Sequence, residues 1–347
     1  YGESLGIRRH LADELGTLES RRDLSVSLNN VGRVAEARGD WAAAAEAYGE
    51  SLGIRRHLAD ELGTLESRRD LSVSLNNVGR VAEARGDWAA AAEAYEESLV
   101  VRRGLVGSLG TFQSRRDLSV SLDNVGRVAE ARGDWAAAAE AYEESLETSR
   151  DLADELGTLE SRRDLSVSLD NVGRVAEARG DWAAAAEAYE ESLVVRRGFA
   201  DLLETPESRS GLSVSLDNVG RVAEARGDWA AAAEAYEESL RIRRDFARVF
   251  GTPESRSGLS ISLNNVGRVA KARGDWGAAA ESYGEFLEAA WDLADSLGTP
   301  ESLRDLVVSL GNLAGVVEQL GDTERAESLR AERDRIAKIL DSGSSET

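Results

Sequence analysis

Apolar residues fall at steps of three and four along this chain, and the pattern returns every 47 residues. In residues 24–52, Leu24, Leu28, Val31 and Ala35 form one stripe, and Trp41, Ala44, Ala45, Tyr48 and Leu52 form a second. Such steps bring side chains onto one face of an α-helix. Two amphipathic helices are therefore predicted, helix A before the sequence Ala-Arg-Gly-Asp-Trp and helix B after it. Gly39 suits the left-handed conformation that closes helix A, and Asp40 can accept N–H bonds as the cap of helix B. The alanines at 42–45 favour helix and let the partner helix come close beside the large Trp41 and Tyr48.

Trp41, Trp88, Trp135, Trp182, Trp229 and Trp276 stand one period apart, and the next step lands on Thr323 inside a degraded copy, LGDTERAESL. A fixed period of this size predicts a solenoid, in which each unit buries its apolar face only against its neighbours. Units begin at Thr17, Thr64, Thr111, Thr158, Thr205, Thr252 and Thr299, and the chain's 3 prolines, Pro206, Pro253 and Pro300, each follow one of these threonines. Threonine as cap with proline at the first helical position is a helix start, so the phase of the units is fixed independently of the tryptophans. Residues 1–16 read as the end of a helix B without its own helix A, and Tyr1 aligns with Tyr48. The chain is thus expected to be a piece of a longer array with an open apolar edge, and self-association through that N-terminal end is predicted. The final unit, 299–340, turns strongly charged and reads as a polar cap, and residues 341–347 read as a disordered tail. Residues 1–48 recur unchanged as 48–95, which points to recent duplication or deliberate design.

The sequence Leu28, Val31-Gly32, Ala35, Gly39-Asp40-Trp41, Ala44, Tyr48 and Ser51 resembles the tetratricopeptide repeat family. That family's usual period is about 34 residues, whereas this one is 47, and the proline that normally ends helix B is absent. The longer helices are similar to the extended repeats of kinesin light chain and of bacterial STAND-type signalling proteins. The resemblance implies an all-α fold: a right-handed superhelix of antiparallel helix pairs, with seven units and a leading half unit. It also implies a binding scaffold and no enzyme.

Charge narrows the partners. The formal net charge is −22, from 64 acidic and 42 basic residues, which disfavours nucleic acid and favours a neutral or basic peptide or protein segment. There is no cysteine, no apolar run near the roughly 20 residues of a membrane span, and no signal peptide. A soluble, cytoplasmic protein without membrane contact is the default expectation. Only Lys271 and Lys338 are lysine, and an arginine-, alanine- and glycine-rich composition fits a GC-rich bacterial genome.

The A helix also carries a polar stripe of Arg22, Val26, Asn29, Arg33 and Glu36. In a helix-pair solenoid such stripes stack about 10 Å apart on the concave side. Beside the stripe every unit holds an asparagine: Asn30, Asn77, Asn124, Asn171, Asn218, Asn265 and Asn312. An amide offers a donor and an acceptor, so a ladder of amides can pair with the backbone of an extended chain whatever its sequence. This ladder is similar to the asparagine ladder of O-GlcNAc transferase repeats. The competing reading is that the amides bond between adjacent helices and order the stack. The preceding position varies, with Asn29, Asn76 and Asn264 becoming Asp123, Asp170 and Asp217 in the central units. These carboxylates either acidify the groove or are neutralised by arginines one turn on, drawn from Arg33, Arg80, Arg127, Arg174, Arg221 and Arg268. Arg102, Arg103, Arg196 and Arg197 are expected on the outer face.

Arg38-Gly39-Asp40 spells an adhesion tripeptide, but its aspartate is needed as a cap. His10 and His57 occupy one position in two units and read as surface residues, not metal ligands. No cofactor or metal is expected, and no carboxylate combines with a nucleophile or phosphate loop as catalysis would need. Three functions remain open: a protein-interaction scaffold or sensor arm of a larger bacterial signalling protein, a structural spacer or self-assembling stack, and the specificity arm of an enzyme elsewhere in the parent chain.

Overall fold

The computed structural model describes residues 2–343, and these form fifteen α-helices with no strand among the described residues. They divide into two compact units after Gly180. The first holds α1 (Gly2–Leu15), α2 (Leu18–Ala37), α3 (Trp41–Leu62), α4 (Leu65–Ala84), α5 (Trp88–Leu109), α6 (Phe112–Ala131), α7 (Trp135–Leu156) and α8 (Leu159–Ala178). The second holds α9 (Trp182–Leu203), α10 (Pro206–Ala225), α11 (Trp229–Phe250), α12 (Pro253–Ala272), α13 (Trp276–Leu297), α14 (Pro300–Gln319) and α15 (Thr323–Gly343). Within each unit every helix packs on its neighbours in sequence, as expected for an all-α helical repeat solenoid. Helix α15 runs on to Gly343, so residues 341–343 continue the helix where a tail was expected. Tyr1 and residues 344–347, on which the expectations of an interrupted helix and a disordered tail fall, lie outside the described residues.

Two kinds of turn set the repeat. At the A-to-B junction Gly39 takes φ +73°, Asp40 donates its N–H to the Ala35 carbonyl at 2.9 Å, and its carboxylate accepts from the Ala43 N–H at 3.1 Å. The aspartate of the adhesion-like tripeptide is thus committed to capping. At the B-to-A junction Gly63 takes φ +59° and Thr64 accepts from the Ser67 N–H at 3.1 Å. Glu204 occupies the corresponding place before α10 and still adopts φ +49°, a left-handed conformation that is costly for a residue with a Cβ.

The tyrosine is the wedge of each pair. A Cβ on Gly32 would fall 2.6 to 2.8 Å from three ring atoms of Tyr48, and Gly79, Gly126, Gly220 and Gly267 meet Tyr95, Tyr142, Tyr236 and Tyr283 in the same way. Ala44 and Tyr48 then pack with Ala35 and with Val81 of the next repeat. Deeper between the helices, Ser51 donates to the Ser25 carbonyl at 3.1 Å and Ser98 to that of Ser72 at 3.2 Å. These serines cross-link A and B within a repeat. Trp41 and its copies, the clearest markers in the sequence, are only half-buried. In the last repeat Arg330 replaces the tyrosine and pairs with Glu318, and Ala314 replaces the glycine.

Candidate binding face

The solvent-facing side of each A helix follows from the burial of Leu24, Leu28 and Gly32 on the other side. It presents Arg22, Val26, Asn30 and Arg33, and their copies one period on. The apolar member is a branched aliphatic each time: Val26, Val73, Val120 and Val167 in the first unit, and Val214, Ile261 and Val308 in the second. They range from 41% exposed at Val73 to 51% at Ile261. A branched aliphatic held open to water in every repeat is wasteful for a surface that meets only solvent.

The asparagines beside this row are half-buried, and the carbonyls of all but Asn312 are already used. Asn30 accepts from Arg33 at 3.2 Å, Asn77 from Arg80 at 3.0 Å and Asn124 from Arg127 at 2.7 Å. Asn171 accepts from Arg174 at 2.8 Å, Asn218 from Arg221 at 2.8 Å and Asn265 from Arg268 at 3.1 Å. Two amides also bridge repeats: Asn171 donates to Asp123 at 3.4 Å, and Asn312 donates to Asn264 at 2.8 Å. Among the described residues the Nδ2 groups of Asn30, Asn77 and Asn124 meet no acceptor, whereas the Oδ1 atoms of Asn29 and Asn76 are buried without a donor.

Burial opposes ionised Asp123 and Asp217 more than the charges of Arg127 and Arg221, one turn on, favour it, and the ion pairs of Arg127 and three of its copies run to glutamates of the preceding repeat. Arg80 pairs with Glu36 of the preceding repeat at 3.0 Å, Arg127 with Glu83 at 2.6 Å, Arg268 with Glu224 at 2.9 Å, and Arg174 with Glu130. Each of those glutamates also accepts from a tyrosine: Tyr48 to Glu36 at 3.0 Å, Tyr95 to Glu83 at 3.1 Å, Tyr142 to Glu130 at 3.2 Å and Tyr236 to Glu224 at 3.3 Å. The guanidinium lies over that ring, 6.0 Å from its centroid for Arg127 and Tyr95, 5.7 Å for Arg174 and Tyr142, and 5.8 Å for Arg221 and Tyr189. Burial pushes the phenols of Tyr48, Tyr95 and Tyr142 up to about 12, reinforced by Glu36 and Glu83 at the first two and opposed by Arg174 at the third. This tyrosine, glutamate, arginine and asparagine network ties successive repeats together. The side chains of Arg80, Arg127, Arg174 and Arg268 nevertheless stay nearly half exposed.

The central aspartates do not line an open acidic groove. Asp123, Asp170 and Asp217 are all half-buried. Burial pushes the Asp123 carboxyl up to about 6, against the hydrogen bonds from Ser145 and Asn171 that favour its charge. Burial also raises Asp217, opposed by Arg243, with which it forms an ion pair. On the other side of the repeats, Arg102 departs from its expected outer-face position: it is buried against Asp117, and Arg196 is half-buried. Arg103 and Arg197 do stand exposed, paired at 2.5 Å with Glu144 and Glu238 of the next B helix. His10 and His57 are exposed beside Glu14 and Glu61, each at 3.3 Å. Among the described residues no helix is long and apolar enough to cross a membrane, and no three His, Asp or Glu side chains are grouped to hold a metal ion.

Comparison with known proteins agrees with the geometry. Sequence models of the tetratricopeptide repeat match residues 17–60, 70–151, 168–203 and 215–249, together more than half of the chain. No curated protein matches the chain significantly by sequence. Among solved structures, BtubC (BKLC) from P. vanneervenii is similar, with 20% identity and TM-score 0.54 over 71% of this chain and 89% of that one. A single-substitution variant of a putative Podosopora anserina kinesin light chain with nearly identical TPR-like repeats has 19% identity and TM-score 0.50 over 67% and 98%. The S. pombe nuclear import adaptor Nro1 has 13% identity and TM-score 0.53 over 84% and 99%. At such identities these likenesses speak for the fold alone. With the repeat models matched along it and the Gly-Asp-Trp junction returning every 47 residues, the chain belongs to the tetratricopeptide repeat family, in its extended-repeat form.

Proposed function

We propose that the chain is a non-enzymatic interaction scaffold that captures an extended peptide or protein segment along the exposed face of its A helices. The observation that carries this reading is the recurring open aliphatic, Val26 and its copies, set beside an amide in each repeat and, in the first six, beside an exposed or half-exposed guanidinium. Apolar contacts give affinity, and the free amide N–H groups of Asn30, Asn77 and Asn124 suit the carbonyls of an extended chain. The net charge of −22 favours a neutral or basic segment.

The spacer reading draws on a different observation. The arginines, and the amides of Asn171 and Asn312, are used between repeats, which is what a purely structural stack requires. One experiment separates the two. Replacing Val73, Val120 and Val167 together by Ser removes three aliphatics that support no core. Half-burying each in a complex contributes about 1 kcal/mol, so affinity for a captured partner falls by roughly ten- to a hundredfold. Melting temperature stays within a degree or two of the parent. Unchanged affinity in the triple variant, measured by calorimetry, sinks the scaffold reading of this face.

A further inference from the structure

A cleft of about 690 Å³ opens in the second unit, between the first turns of α10 and α12 and the last turns of α11. Phe246 and Phe250 form one wall, their ring centroids 5.8 Å apart. Ser210, Gly258, Glu254 and Arg243 supply much of the rest.

Near-identical repeats show what is missing. Ser210 stands where the first unit has Arg22 and Arg116, Gly258 where it has Asp70 and Asp117, and Glu254 where it has Glu66 and Glu160. In the first unit these residues fill the space with ion pairs: Arg22 with Glu66, Arg116 with Glu160, Arg55 with Asp70 and Arg102 with Asp117. At Ser210 the arginine is gone, and Glu254 makes no ion pair among the described residues. Its own backbone N–H and the Thr252 hydroxyl hold its carboxyl below the usual range, so it is charged near neutral pH. The cations nearby are committed. Arg243 donates to the Gly258 carbonyl at 3.0 Å and pairs with Asp217, and Arg209 lies 5.7 Å over the Phe246 ring while paired with Asp245 at 2.9 Å. The cleft thus has the outline of an ion pair from which the guanidinium has been taken, with an aromatic wall added.

We infer that this cleft binds an arginine side chain of a partner peptide, with the guanidinium on Glu254 and the aliphatic stem against Phe246 and Phe250. A guanidinium fits better than an ammonium because it is planar, weakly hydrated and stacks on aromatic faces. Glu207, which also lines the cleft without an ion-pair partner among the described residues, adds to the negative field. The inference rests on the A-helix face being the binding face, since Val214 of the exposed row lines the same cleft.

The test uses the capped dipeptide acetyl-Arg-Val-amide and its neutral citrulline counterpart as probes. The chain has 5 phenylalanines, so fluorophenylalanine labelling gives five fluorine signals, two of them from the cleft and assignable with Phe246→Leu and Phe250→Leu. The arginine probe is expected to shift those two signals saturably, and the citrulline probe to need at least tenfold higher concentration. Glu254→Gln should weaken the arginine response about tenfold. Ser210→Arg, which restores the arginine of the first-unit repeats, should plug the cleft and abolish it. Equal responses to the two probes, or an undiminished response in Ser210→Arg, overturns the assignment. The broader scaffold reading fails separately: the valine triple variant lies in the first unit and leaves the dipeptide signals untouched whichever way partner affinity goes.

Discussion

Gly79→Ala is the sharpest probe of how the repeat is locked. The new Cβ would stand 2.6 Å from Cε1, 2.8 Å from Cδ1 and 2.9 Å from Cζ of Tyr95. Comfortable carbon contacts begin near 3.5 Å, so the ring must retreat by up to about 0.9 Å. Tyr95 is 1% exposed, and it has no open side to retreat to. Overpacking of this kind costs about 1–3 kcal/mol, partly offset by about 1 kcal/mol of helix propensity gained when Gly becomes Ala. Gly104, on α5 of the same repeat, has no atom within 4 Å of its would-be Cβ. Gly104→Ala keeps the gain without the cost, so the two variants should differ by about 1–3 kcal/mol in urea unfolding followed by circular dichroism. Because the displaced ring also holds Glu83 and lies under Arg127, the loss should spread to the next repeat and broaden the transition. In a Tyr95→Ala background the clash has no partner, and Gly79→Ala should become neutral or stabilising. Equal midpoints for Gly79→Ala and Gly104→Ala would refute the wedge, as would a penalty that survives removal of Tyr95.

Four further outcomes are expected. Asp123→Asn, which restores the residue found at Asn29, Asn76 and Asn264, should stabilise the protein at pH 7 by on the order of 2 kcal/mol. With the Asp123 pKa raised to about 6, the folded state binds the extra proton, so the parent loses stability as pH rises from about 4 through about 6, and the variant should lack that slope in pH-resolved melts. Glu204→Gly removes the left-handed strain at φ +49° and should add about 1 kcal/mol in the same unfolding assay, whereas Gly157→Glu should lose a similar amount. Glu83→Gln should lower the melting temperature through the weakened Arg127 and Tyr95 contacts and leave the exposed valine row intact, so partner affinity per folded molecule should hold in calorimetry. Ile7, Leu11 and Leu15 of α1 are 62%, 42% and 59% exposed, and replacing all three by Ser should reduce any concentration-dependent association seen in sedimentation.

Much of the fold is legible in the sequence because each repeat states its own grammar. Glycine, aspartate and threonine at the two junctions act through local backbone geometry, and local geometry is what a sequence window contains. The face of helix A is legible for the same reason, since the helical period assigns Leu28 inward and Val26 outward. The partners of the polar side chains are not. Arg127 looks poised for Asp123 one turn back, yet it reaches Glu83 on the preceding repeat, 44 residues away, because stacking brings that carboxylate and the Tyr95 ring together. Arg102 looks like an outer-face residue for the same reason: nothing within one helix announces Asp117 across the interface. Tryptophan misleads in the opposite direction. It is the most visible marker of the period but only half-buried, while the glycine and tyrosine that lock the pair are separated by 16 residues and meet only in space.

Departures from the repeat inform more than its invariances, because near-identity follows from duplication as readily as from physical need. Where the tyrosine wedge is lost at Arg330, the opposing glycine is also lost and Ala314 takes its place, buried at 1%. The Cβ returns where the ring that forbade it has gone, and Arg330 keeps the bond to Glu318 that the tyrosine makes elsewhere. Two repeats of the second unit change as a set in the same manner. Arginine becomes Ser210 and aspartate becomes Gly258, while Arg243 turns to Asp217 and the Gly258 carbonyl. In the last repeat the exchange closes a gap in the packing, with Ala314 fully enclosed. Around Ser210 the exchange opens one, and Glu254 is left without the cation that Glu66 and Glu160 have. Compensation that completes a core is what stability alone selects. Phe246 still packs on the cluster of Leu212, Leu216 and Ile242, but a coordinated change that leaves the Phe250 ring and a carboxylate without an ion pair facing solvent completes no core, and that asymmetry is the physical ground for assigning the cleft to a ligand.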